Sequence, residues 1–220
     1  MKKSVVLGLA LAVLVAAGGL YASNMAFKLN YTLDATTAGV SLNGTNTLAL
    51  PFNQQTNLVH AGDLLNDIGG TVAVARITKF LPASNSSQGY DGVTGSPFAL
   101  VPGEAYFVQL KPGQTRQYIV VGSHDPSRVI EFLGPGPGSA SGQNFYAWPY
   151  HSTSNDAAEL ITELGGTTVV ARITRFVPAT NSSASYDGVT GTAFALVPGQ
   201  GYFVQLKAGI PNVQFIPSHF

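Results

Sequence analysis

Apolar and polar residues alternate without a break from Phe27 to Leu33. Phe27, Leu29, Tyr31 and Leu33 fall on one face, and Lys28, Asn30 and Thr32 on the other. That period of two predicts a half-buried strand. Val129 to Leu133 is a weaker version of it, one hundred residues on. Short alternating runs at Thr47–Phe52 and Phe145–Tyr150 predict strands that stop at Pro51 and Pro149. A helix is expected after Asp156: Glu159 stands three residues on as in a capping box, Leu160, Ile161 and Leu164 make an apolar stripe, and Gly165-Gly166 ends it. The β-branched runs Val72–Phe80 and Thr168–Phe176 predict further strands, as do Phe98–Val101, Tyr106–Leu110 and Tyr118–Val121. The fold class expected is α+β with β dominant: two tandem repeats, each an antiparallel sheet with one short helix.

Residues 73–113 and 169–209 align at an offset of 96 without a gap, with 30 of 41 positions identical. Both copies carry VARIT(K/R)F, NSS, YDGVTG, FALVPG and YFVQLK. Units near 95 residues suit two compact domains better than a solenoid, whose repeats run to roughly 20–50 residues. The organisation expected is a signal peptide at 1–23, repeat one with the leading strand at 24–126, and repeat two at 127–220. The Gly- and Pro-rich stretch Gly134–Ser139 reads as the boundary between units, or as a link between strands. Because each unit carries its own helix and strands, a fragment from about residue 127 onward is expected to fold alone.

The Leu-Pro-aromatic strand, the short Ala-Asp/Glu-Leu helix closed by Gly-Gly, and the LVPGxxYFV strand together resemble a tandem repeat module of uncharacterised bacterial secreted and cell-envelope proteins. The resemblance covers residues 40–220. It implies an extracellular structural or binding part and transfers no catalytic residue.

The start of the chain is an address. Lys2 and Lys3 precede the apolar run Val5–Ala17, and small residues follow up to Ser23. That order predicts a secretory signal peptide cleaved near residues 22–24, the alternative being an uncleaved anchor. Contact with a membrane is expected only through this segment, before cleavage. The predicted strand then begins just after the cut, paired either with its own unit or with the open sheet edge of a neighbouring subunit. Phe27, Leu29, Tyr31 and Leu33 are the candidate assembly residues.

Composition narrows the chemistry. The chain has 11 basic and 11 acidic residues, 10% charged in all, and no cysteine. Losing Lys2 and Lys3 leaves 9 basic against 11 acidic residues, a net charge of −2. Without a basic cluster, nucleic acid is not an expected partner. Low charge suits close packing between subunits, where few charges need desolvating. Ser123-His124-Asp125 places three triad residue types in a row, but neighbours on an extended chain point to opposite faces and cannot form a relay. His60, His124, His151 and His219 show no metal-ligand spacing. No catalytic residue, metal or cofactor is expected.

Two weaker candidates remain. The segments Asn85–Gly95 and Asn181–Gly191 read as polar loops in which Asn85, Asp91, Asn181 and Asp187 could touch an ion or a glycan, or simply close turns. Tyr146, Trp148 and Tyr150 share a strand face that could stack on sugars, although Leu48, Leu50 and Phe52 at the matching positions suggest core. The expected function is a secreted, non-enzymatic structural or adhesive protein of the bacterial surface, self-associating through its first strand. The alternative is an extracellular carbohydrate-binding module with glycans as partners.

Overall fold

The computed structural model describes residues 27–35, 43–50, 53–54, 58–123, 125, 127–136, 140–150 and 152–218. The signal segment, residues 24–26, His124, His151 and His219 lie outside them. The first repeat contains β1 (Phe27–Asp34), β2 (Thr45–Ala49), β3 (Asn53–Gln54), α1 (Ala61–Ile68), β4 (Val74–Leu81), β5 (Ser86–Tyr90), β6 (Ala105–Leu110) and β7 (Thr115–Ser123). The second has β8 (Ile130–Phe132), β9 (Gln143–Ala147), α2 (Ala157–Glu163), β10 (Val170–Val177), β11 (Ser182–Tyr186), β12 (Gly201–Leu206) and β13 (Val213–Phe215). The chain is α+β and β-dominant, and the repetition in sequence is a repetition in structure.

Each repeat builds a four-stranded antiparallel sheet in the same order, β2-β6-β4-β5 and β9-β12-β10-β11. Beside it, the first and last strands of the repeat pair with each other, β1 with β7 and β8 with β13. One face of each sheet buries a core of its own. Tyr106, Val108, Ile77 and Leu48 meet Leu64 and Leu65 of α1, and Tyr202, Val204 and Ile173 meet Leu160 and Ile161 of α2. The Asp156 carboxylate caps α2 by accepting from Ala158 N and Glu159 N, both at 2.9 Å, as its spacing from Glu159 predicts.

The second faces of the two sheets lie against each other. Ala49, Ala105, Phe145 and Ala147 form a third buried cluster, ringed by Phe80, Phe107 and Phe203. Backbone bonds close the junction symmetrically, Ala49 N to Gly199 O at 2.8 Å and Ala147 N to Gly103 O at 3.0 Å. The edge-on pairs Phe80–Phe203 (5.3 Å) and Phe107–Phe176 (5.6 Å) repeat the same symmetry. A fragment from residue 127 onward would lose the packing of Phe145, Phe176 and Phe203 on Phe80 and Phe107 of repeat one.

Several boundaries differ from expectation. Ser86–Tyr90 and Ser182–Tyr186, read as loop, are strands held by β4 and β10. Their serines carry little strand propensity, so the neighbouring strand imposes the conformation. Phe98–Val101 is no strand; Ala99 makes one isolated bridge to His60. Gly134–Gly136 is a link between β8 and β9 inside repeat two, with Gly134 N bonded to Asn212 Oδ1 at 3.1 Å.

Candidate functional site

β1 is the feature with the most to say. All eight of its residues pair with β7, from Phe27 opposite Gly122 to Asp34 opposite Thr115. Leu29, Tyr31 and Leu33 are buried, and Lys28, Asn30 and Thr32 are exposed. The alternation in sequence thus becomes an amphipathic strand whose apolar face enters the core of repeat one. In the single chain the strand pairs within its own repeat, at the margin of the sheet β1-β7-β3. Tyr31 reaches the repeat junction. Its hydroxyl donates to Ala49 O at 2.6 Å, and burial pushes its pKa up. A Cβ added to Gly199 of repeat two would stand 2.5 Å from the Tyr31 hydroxyl.

Where β1 ends, Asn46 holds it. This buried amide accepts from Asp34 N at 3.2 Å and donates to Gly44 O at 2.9 Å and Asp34 O at 3.4 Å. Asn144 does the same in repeat two, accepting from Leu133 N at 2.8 Å and donating to Leu133 O and Gly142 O. Side-chain amides here replace the ladder bonds that β1 and β8 do not make with β2 and β9. Neither residue stood out from the sequence. The signal was the shared Gly-x-Asn of Gly44–Asn46 and Gly142–Asn144, with both glycines left-handed (φ 67° and 68°).

The repeated polar segments resolve into turns. Asn85 and Asn181 are the only non-glycine residues with positive φ among those described, at 49° and 48°. Each terminates a short 3-10 turn, a position suited to Asn. Asp91 accepts from Val93 N at 2.9 Å, from Thr94 N at 2.5 Å and from the Thr94 hydroxyl. Asp187 repeats this with Val189 and Thr190. Chiefly the threonine hydroxyl, then the amides, hold each carboxyl at about 2 against an ordinary 3.8. Both oxygens of each carboxylate are used inside the turn, which closes the loop. No cluster of three or more His, Asp or Glu able to hold a metal occurs among the described residues. Because the folded pKa values are depressed, the turns contribute stability above the ordinary carboxyl pKa and lose it as pH falls from about 4 to about 2. Amide resonances of Val93, Thr94, Val189 and Thr190 should titrate over that window, and Asp91→Asn with Asp187→Asn should abolish the titration.

The three aromatics of repeat two do not make a platform. Tyr146 is 1% exposed and packs on Phe132, Trp148 is 3% exposed and packs edge-on to Tyr146, and Tyr150 alone of the three is exposed. Tyr146 and Trp148 are core, as Leu48 and Leu50 at the matching positions of repeat one imply. The Tyr146 hydroxyl is buried without a hydrogen-bond partner, and burial, then the nearby Glu163 charge, drives its pKa well up. Leaving such a hydroxyl unpaired costs about 1–3 kcal/mol. Tyr146→Phe should therefore leave the melting temperature unchanged or raise it, as thermal unfolding would show.

Two grooves flank the repeat junction in related positions. One, of about 390 Å³, runs between Arg128–Leu133 and Val101–Ala105. The other, of about 240 Å³, runs between Asn30–Leu33 of β1 and Val197, Pro198 and Gln200. No helix among the described residues is long and apolar enough to cross a membrane. Compared with family models, curated proteins and solved structures, the chain matches none.

Proposed function

We propose that this protein is an exported, non-catalytic structural subunit of the bacterial exterior that joins copies of itself by exchanging β1. One observation carries the reading. The strand nearest the predicted signal cleavage site pairs along its full length with β7 and buries Leu29, Tyr31 and Leu33. β1 lies at the margin of the sheet β1-β7-β3, so withdrawing it threads no other strand. The same ladder and the same pockets for Leu29, Tyr31 and Leu33 would accept the β1 of a second copy, since the contacts are identical in trans. Burying each of these side chains is worth about 1.5–3 kcal/mol. Low charge and the resemblance to envelope modules agree with an exterior, self-packing role.

The test compares the mature chain with one lacking residues 24–34, by light scattering after size exclusion and by negative-stain imaging. Exchange predicts concentration-dependent polymers from the mature chain and none from the truncated one, with a synthetic 24–34 peptide capping growth. A mature chain that stays monomeric, with truncation only lowering its melting temperature, would overturn the proposal.

A further inference from the structure

The two repeats act as internal controls for each other, and one place where they diverge lies between β4 and β5 and, in the second copy, between β10 and β11. In repeat one Lys79 lies over the Phe98 ring at 5.7 Å, and the Gln88 amide reaches across to Ser96 O at 3.5 Å. In repeat two the matching positions are Arg175, Phe194, Ala184 and Thr192. Arg175 lies over Phe194 at 4.9 Å, and Ala184, directly opposite it on β11, has no side chain to reach across. A depression of about 490 Å³ is lined there by Arg175, Ala184, Ser185, Thr192, Ala193 and Phe194, among others.

Arg175 is partly buried, and no acid stands within 4 Å of it among the described residues. Its Nε is buried against the protein with no acceptor among the described residues. Contact with the Phe194 ring restrains the guanidinium, which turns a flexible cation into a directed one. A partly desolvated charge with no counter-ion is unfavourable in the free chain and is relieved when an anion arrives. Every other residue named at the depression is neutral. We propose that this depression is a binding subsite for the carboxylate of an acidic saccharide, with Arg175 taking the carboxylate in the planar geometry that suits it. The Thr192 hydroxyl offers a partner to a sugar hydroxyl, and the methyl groups of Ala184 and Ala193 accept a sugar's apolar ring face. The proposal is independent of strand exchange.

The experiment titrates the purified protein at low salt with trigalacturonate, with maltotriose, with acetate and with inorganic phosphate, following amide shifts by NMR. Trigalacturonate should bind with a dissociation constant on the order of 1 mM, shift residues around Arg175, Ala184 and Thr192, and weaken as salt is added. Maltotriose should not bind, and acetate should bind more weakly. Arg175→Gln should abolish binding. Ala184→Gln, which installs the repeat-one side chain without touching the arginine, should weaken it about tenfold at unchanged melting temperature. Lys79→Gln should change nothing. Equal binding by maltotriose, by acetate or by phosphate would overturn the saccharide assignment. Undiminished binding in both Arg175→Gln and Ala184→Gln, or no shift with any probe, would overturn the site.

Discussion

Gly201→Ala should destabilise the whole chain by about 1–3 kcal/mol, although it adds one methyl group to a strand. A Cβ there would stand 2.4 Å from Ala105 Cβ and 2.7 Å from the Phe145 ring. The asymmetry of the junction explains why. Repeat one has Thr47 and Ala105 where repeat two has Phe145 and Gly201. The Phe145 ring stacks on Phe203 at 4.4 Å and on Phe107 at 4.7 Å, and glycine gives it the space. Adding Phe145→Thr should recover part of the loss, so that the two changes are non-additive. Thermal unfolding of the single and double variants measures this. A single sharp transition that shifts as one would show that both repeats report damage at their shared face. Two transitions, with only the repeat-two transition moving, would mean that the repeats melt independently.

Asn46→Ala carries the second large effect, about 2–4 kcal/mol, because it leaves the N–H and carbonyl of Asp34 without their amide partner in a buried setting. Asn144→Ala should act likewise on Leu133. The two differ in consequence. Asn46 anchors the end of β1, so its loss should raise amide hydrogen exchange along 28–34 ahead of the rest of repeat one. Under strand exchange it should also speed assembly, because opening β1 is the step that precedes exchange. Protection along 28–34 equal to that of the native chain would show that the ladder with β7 suffices without the clamp.

What the amino-acid order reveals here tracks how local the cause is. The alternation at Phe27–Leu33, the Asp156 cap and the Gly-Gly helix ends act over a few residues, and the structure has each of them in place. β5 and β11 escape notice because serine-rich strands exist only by virtue of their partners. The clamp asparagines escape it because a buried amide and an exposed one are spelled alike. The junction leaves a trace in the sequence. Ala105-Tyr106-Phe107-Val108 is apolar at consecutive positions, the mark of a strand covered on both faces, and each repeat buries one face against its helix and the other against its twin. The candidate aromatic platform failed for the same reason: apolar on a strand face meant core.

The most direct test of strand exchange uses the absence of cysteine from the chain. Asn30 and Ile119 are opposed across β1 and β7, both exposed. Opposed residues of an antiparallel pair lie about 4.5–5.5 Å apart between Cα atoms, within disulfide range. Asn30→Cys with Ile119→Cys should then form a disulfide wherever β1 meets β7. Assembled under oxidising conditions and run without reductant, the double variant should give a ladder of covalent oligomers that collapses to one band on reduction. A cross-linked monomer alone, at every protein concentration, would contradict the account.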